Sequence, residues 1–153
     1  MRRRFPVLYK ALNVVHERVF SWSGGRAFGT LRGMTSIRLT TTGRKTGLER
    51  TTMLTSPLVE DDEVVLVASY RGGPHHPAWY LNLMANPTIP VERPGFRGEM
   101  IAETLHGDER ERLWRRITAR QPRYEKYQSR TDRELPLVVL RPADRSRSRL
   151  VEP

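Results

Sequence analysis

Apolar residues change their period along the chain, and each change marks an element. Leu8, Ala11, Leu12, Val15 and Val19 recur at helical spacing, with Lys10, Glu17 and Arg18 at other positions. That pattern predicts an amphipathic helix over residues 3–20. Residues 21–34, with Gly24, Gly25, Gly29 and Gly33, read as a loose connector. From Thr35 the chain is rich in β-branched residues. It predicts a strand over 35–42, a turn over 43–47, a strand over 49–59, and a fully apolar strand over 64–68 entered through Glu60-Asp61-Asp62. The three strands fit an antiparallel meander. Residues 70–77 form a loop, and Pro77 suits the first turn of a helix over 78–86, which stops before Pro87. Strands over 88–92 and 96–104 flank the turn residues Pro94-Gly95, and Pro90 suggests that the first of them lies at a sheet edge. Asp108 is the expected cap of a helix running to about Arg120, with Leu113, Trp114 and Ile117 facing in. A short helix over 124–130 and a buried strand over 137–140 complete the pattern.

The expected fold is therefore mainly β with flanking helices (α+β). About six antiparallel strands form a small closed or split β-barrel. The domain reading is an N-terminal helix and connector over 1–34, a barrel domain over 35–142, and a basic, disordered tail over 143–153.

Composition narrows the chemistry. The chain has 153 residues and no cysteine, which excludes a disulfide framework, a thiolate nucleophile and cysteine-held metals. No stretch is apolar for long enough to span a membrane as a helix. Arg2-Arg3-Arg4-Phe5 has a faint likeness to a twin-arginine export signal, but Lys10, His16 and Glu17 interrupt any apolar region and no cleavage site follows. Export is not expected, and a cytoplasmic location is. The formal net charge is +10, and the first fifty residues carry most of it, with eleven bases against two acids. A field this one-sided favours an anionic partner. The N-terminal helix either packs on the domain or lies on a membrane surface through its basic and apolar faces, at the inner face of the plasma membrane.

Three places could carry chemistry. The Gly43–Gly47 turn holds Arg44 and Lys45, and Arg50 follows closely enough to share an anion with them. Backbone N–H groups freed by glycine, together with these charges, suit a phosphate. A plain hairpin tip is the alternative. The segment 68–77, with Ser69, Tyr70, Arg71, Gly72 and Gly73, fits around a flat ligand because glycine permits close backbone approach. His75-His76 lacks a nearby carboxylate partner, so no metal site is expected. Tyr124 and Tyr127 share a helix face and either pack as core or line a pocket mouth, where they would donate protons or hydrogen bonds to a substrate. No Ser-His-Asp grouping, HExxH or DxD cluster supports hydrolysis.

These stretches resemble one family in order and spacing. Leu39-Thr40-Thr41-Thr42-Gly43-Arg44-Lys45-Thr46-Gly47, Arg50-Thr51, Val67-Ala68-Ser69, Pro77-Ala78-Trp79-Tyr80-Leu81-Asn82-Leu83 with Asn86-Pro87, and Tyr124-x-x-Tyr127-Gln128-x-x-Thr131-Asp132-Arg133 before Leu135-Pro136 look like the deazaflavin-dependent nitroreductases of actinobacteria. The resemblance covers about residues 35–142. It implies a split barrel of the flavin-binding type and the coenzyme F-420 (F420), an 8-hydroxy-5-deazaflavin carrying a phosphodiester and an oligoglutamate tail. It implies hydride transfer from the reduced coenzyme to a quinone, menaquinone-like, or to a nitroaromatic acceptor.

By the match, Arg44, Lys45 and Arg50 would hold the coenzyme's phosphate and tail, and Thr46, Thr51 and Met53 would be further coenzyme-binding residues. Ala68, Ser69, Tyr70 and Arg71 would run along its ring, and Trp79 would help close the pocket. Tyr124 and Tyr127, with Ser69, would serve the reaction. No metal is implied. A homodimer and a peripheral membrane contact through residues 1–20 are compatible partners. The chain departs from the family pattern in three places. Tyr70-Arg71 precedes the Gly-Gly pair, Gln121 stands where some members carry an aromatic, and Met84 replaces a usual charged residue.

Two alternatives on the same barrel are an FMN-binding oxidoreductase and a non-catalytic coenzyme-binding protein. A third is a nucleic-acid-binding module. That one expects aromatics interleaved with the basic patch, and residues 35–50 contain none.

Overall fold

A computed structural model describes residues 30–31 and 33–144. The helix expected over 3–20 and the tail beyond Asp144 lie outside the described residues, and with them the membrane contact assigned to residues 1–20. Among the described residues, eight strands form one antiparallel sheet: β1 (Thr30–Leu31), β2 (Met34–Thr42), β3 (Glu49–Ser56), β4 (Leu58–Glu60), β5 (Glu63–Val67), β6 (Thr88–Arg93), β7 (Phe96–Thr104) and β8 (Leu137–Pro142). Three helices accompany them: α1 (Ala78–Ala85), α2 (Gly107–Arg120) and α3 (Arg123–Gln128).

The sheet runs β1-β2-β6-β7-β8-β5-β4, with β3 on the other edge of β2. Only Pro57 separates β3 from β4, so the two ends of the sheet are one bent run of chain and the sheet curls back on itself. With β3 and β4 taken as one strand, six strands make the barrel and β1 is an added flap.

The expected 49–59 strand breaks at Pro57, which has no N–H to give a ladder. The Ser56 hydroxyl bridges the bend, lying 2.8 Å from Leu58 O and 2.7 Å from Val65 O. The meander keeps its order through the bend, with β3 on β2 and β4 on β5. β5 pairs with β4 and β8 rather than with β3, because the bend carries the chain from β2's side of the barrel to β5's.

Strand alternation builds two cores. Val64, Leu66, Val138 and Leu140 join Ile37, Leu39, Val91 and Met100 inside the barrel, and α1 adds Trp79, Tyr80 and Leu83. Val65, Val67, Leu137 and Val139 face the other way and pack with Leu105, Ile117, Tyr124 and Leu135 under α2 and α3. β5 and β8 are thus buried on both faces, which is why each reads as an unbroken apolar run.

Three further expectations are adjusted. β6 is an interior strand, paired to β7 along its length and to β2 at Val91 and Glu92. Pro90 falls outside the β2 contact, so its missing donor breaks no bond there. His106 rather than Asp108 occupies the N-cap position of α2, without a side-chain capping bond, which leaves Asp108 and Glu109 inside the first turn, where their charge favours the helix N-terminus. The connector's end is structured, since β1 pairs back on Met34 and Thr35 around Gly33, whose φ is 74°. At the other end, Ala143 still donates to Glu99 O at 3.0 Å, one residue past the expected domain edge.

Candidate functional site

The basic hairpin between β2 and β3 closes through its own backbone. Gly43 N–H donates to Leu48 O and Gly47 N–H to Gly43 O, both at 2.7 Å, and Gly47 turns with φ 71°. Residues 44–50 are exposed, so Arg44, Lys45, Thr46 and Arg50 are open to an anion. The hairpin does not hang free. Asn82, buried on α1, accepts the Arg44 N–H at 3.1 Å and donates through Nδ2 to Thr41 Oγ1 at 3.3 Å. Alternation then divides the expected coenzyme contacts. Arg50 lies opposite Thr41 and shares the face of Leu39. Thr51 and Met53 lie opposite Thr40 and Arg38 on the other face, with Met53 buried.

The second segment leaves β5 through Ala68, whose N–H donates to Pro136 O at 2.9 Å. It then makes a left-handed turn with Tyr70 at φ 44°, Arg71 at φ 54° and Gly72 at φ 76°. Such values are uncommon for residues with a Cβ, and two in succession need external support. Arg133 supplies much of it. Its guanidinium donates to Gly73 O at 2.9 Å, Ser69 O at 2.8 Å and Ala68 O at 3.2 Å, and NH1 stands 3.1 Å from His76 Nδ1. Arg130 adds a bond to Arg71 O at 3.2 Å. Gly72 lies against α3 so closely that a Cβ there would sit 2.3 Å from Tyr127 O. Tyr70 itself is 56% exposed.

Among the described residues there is no group of three or more metal-ligating side chains. Burial and the nearby Arg133 charge hold the His76 imidazole below the usual histidine value.

Trp79, one residue into α1, is buried in the barrel core and meets Tyr80 edge-on at 6.3 Å. Tyr124, for which core packing and a pocket mouth were both open, is buried in the outer core, its hydroxyl 3.5 Å from Met34 sulfur. Burial outweighs the opposing Arg123 charge and pushes its phenol up to about 12. Tyr127 is half-buried, edge-on to Tyr124 at 6.0 Å and beneath the Arg130 guanidinium at 5.5 Å. The Tyr127 side of α3 is thus the one that borders the loop.

The chain matches the family model described as F420H(2)-dependent quinone reductase over residues 13–142. The chain belongs to that family. An F420H(2)-dependent quinone reductase of Mycobacterium tuberculosis is 37% identical over 130 residues, covering 82% of this chain and 87% of that one. A putative F420H(2)-dependent quinone reductase of Mycobacterium bovis matches equally. Among solved structures, an F420-H2 dependent reductase superposes with a TM-score of 0.61 at 36% identity, over 69% of this chain and 93% of that chain. A second, described as a domain-swapped dimer, gives 0.64 at 32% identity over 84% and 96%.

Family membership supports the oxidoreductase reading made from the motifs. Three residues that hold the family's segments in place carry no site role in the sequence reading: Asn82, Arg133 and Gln128. Gln128 accepts the Leu135 N–H at 2.9 Å and donates to Arg133 O at 2.8 Å, so it braces the turn that carries Arg133. A signal existed for Asn82, the one amide in an otherwise apolar and aromatic helix, AWYLNLMA. Arg133 stands in the Thr131-Asp132-Arg133 motif, but nothing there tells its role, because its carbonyl partners lie about sixty residues away.

Proposed function

We propose that this chain binds reduced F420 across α1 and delivers its hydride to a quinone. One observation carries the reading: both candidate coenzyme segments are attached to the same helix, one turn apart. The loop 68–76 runs directly into α1 beside Trp79, and Asn82 fastens the basic hairpin to it. Three helical residues rise about 4.5 Å. An anionic tail held at Arg44, Lys45 and Arg50 and a ring lying along Ala68–Arg71 would therefore belong to one extended molecule.

F420 supplies the hydride when bound. This chain's residues do the rest. Arg44, Lys45 and Arg50 neutralise phosphate and glutamate carboxylates through their side chains, since the amides of Gly43, Arg44, Gly47 and Leu48 already donate within the protein. Thr46 keeps the turn closed, its Oγ1 accepting the Leu48 N–H at 3.3 Å. Thr51 and Met53 act from the opposite face, as supports of the strand. Ala68, Ser69, Tyr70 and Arg71 form the ring's edge, and Trp79 walls it from the core side. Tyr127 is the phenol best placed to orient the acceptor and return a proton, and Tyr124 backs it. A preorganised site of this kind mainly has to stack the acceptor and stabilise the charge that develops. The relative solved as a domain-swapped dimer supports a homodimer. No helix among the described residues is long and apolar enough to cross a membrane. A quinone dissolved in lipid would thus be met at a surface.

The test is a titration of the purified chain with oxidised F420 by tryptophan fluorescence, followed by assay of F420H2 oxidation with a soluble menaquinone analogue. Saturation near micromolar, about −8 kcal/mol, and quinone-dependent turnover are expected. Binding of FMN in place of F420, or tight F420 binding with no turnover on any quinone, would overturn the reading.

A further inference from the structure

We propose that Arg133 is a positioning residue for the coenzyme-facing loop, acting on the ligand through main-chain carbonyls. This rests on the coenzyme reading above. The guanidinium gathers the carbonyls of Ala68, Ser69 and Gly73 at 2.8–3.2 Å and stands 3.1 Å from His76 Nδ1. One planar fork thus joins the two ends of a loop that begins at Ala68 and closes at His76.

The consequence follows from peptide geometry. In a trans peptide the C=O and the following N–H point in opposite directions, and no described peptide is cis. With the Ala68 and Ser69 carbonyls aimed at Arg133, the N–H groups of Ser69 and Tyr70 face away from it, side by side. Gly73 O precedes Pro74, which has no N–H. The clamp therefore sets two adjacent donors on the outer edge of the loop, suited to the carbonyl oxygens of a flat heterocycle.

The clamp also accounts for the turn's unusual backbone. Tyr70 and Arg71 adopt left-handed φ values of 44° and 54°. Two arginines hold the carbonyls around them, since Arg130 takes Arg71 O. Arg133 is itself fixed from behind. Gln128 bonds its carbonyl and the next-but-one amide, and Leu135 is fully buried. The rigid part of the fold thus reaches three of the loop's carbonyls through the Arg133 side chain and a fourth through Arg130, and Tyr70 stands 56% exposed at the turn they hold.

Arg133→Gln and Arg133→Lys test this in the full chain. Three readouts are compared: hydrogen exchange of residues 68–76 in the ligand-free protein, the Kd for oxidised F420, and Tm. Arg133→Gln is expected to speed loop exchange by tenfold or more, leave residues 88–104 unchanged, and raise the Kd at least tenfold. Arg133→Lys keeps the charge but not the fork and should fall between. If Arg133→Gln does not fold, the lysine variant carries the same comparison. Unchanged loop exchange, or a loosened loop with unchanged Kd, overturns the proposal. A uniform rise in exchange across the sheet does so too, since Arg133 would then be a general stabiliser. Wild-type protein that binds no F420 refutes the coenzyme reading instead, and loop exchange then decides by itself whether Arg133 holds the turn.

Discussion

The side chain of Asn82 accepts the backbone N–H of Arg44 at 3.1 Å, across 38 residues of chain. An exposed basic hairpin tip is thereby held by a residue buried in a helix. Its Nδ2 also donates to Thr41 Oγ1, so one amide restrains both the strand end and the turn. Anion binding at a hairpin is stronger when the donors are already in place, because less ordering is left to binding.

Asn82→Ala removes both bonds, leaving the buried Thr41 Oγ1 with its Arg50 O contact alone and the Arg44 N–H without its side-chain acceptor. The expected cost is about 1–3 kcal/mol in stability, read as a lower urea midpoint, together with a weaker coenzyme Kd. An Asn82→Ala protein with wild-type Kd would show that the hairpin needs no anchor.

Arg44→Ala with Lys45→Ala separates binding from folding. Both side chains are exposed, so stability should stay within about 0.5 kcal/mol of wild type. The Kd for F420 should rise about tenfold or more, given roughly 1.5–3 kcal/mol per hydrogen bond to a charged group. The wild-type Kd should weaken with salt and the variant's much less. A Kd that does not move would remove the phosphate and tail from this hairpin.

The tyrosine pair gives opposite expectations for two similar changes. Tyr127→Phe should lower kcat by about tenfold or more, in the range general acid catalysis supplies, with coenzyme Kd nearly intact. Tyr124→Phe loses a hydroxyl directed at Met34 sulfur and should cost less than about 1 kcal/mol with little change in kcat. Steady-state kinetics with a quinone decides between them. A large kcat loss in Tyr124→Phe alone would reverse the assignment.

His76 ties pH to the loop. Its value is depressed from 6.5 by burial and then by Arg133. Below 6.5 the unfolded chain takes up a proton that the folded chain still refuses, so stability falls as pH falls. The contribution is fully present above about pH 6.5 and lost toward the lowered folded value. Denaturant midpoints measured from pH 7.5 to 5.5 should drop more in wild type than in His76→Gln. Parallel curves would mean that His76 titrates alike in both states.

Much of this was legible in the chain itself. The apolar runs at 64–68 and 137–140 announced a fully apolar strand and a buried one, and Pro94-Gly95 announced the β6–β7 hairpin, whose register places Arg93 opposite Phe96. Those signals are local: period two, a turn residue with φ 76° at Gly95, a proline before a helix. The motifs likewise identified the family and the basic hairpin, because charge and glycine spacing are properties of contiguous residues.

What only the tertiary structure decided is what lies against what. Pro57 divides the expected 49–59 strand into halves that pair with different partners and close the barrel. Tyr124 and Tyr127 are indistinguishable by spacing, and only packing buried one and left the other at the loop. Asn82 and Arg133 act on backbone atoms 38 to 65 residues away, and a backbone carbonyl has no residue identity for a sequence pattern to register. The chain by itself determined which elements form and which charges they carry. The closed sheet determined which of them meet, because burial and hydrogen bonding between distant segments depend on coordinates that no local period contains.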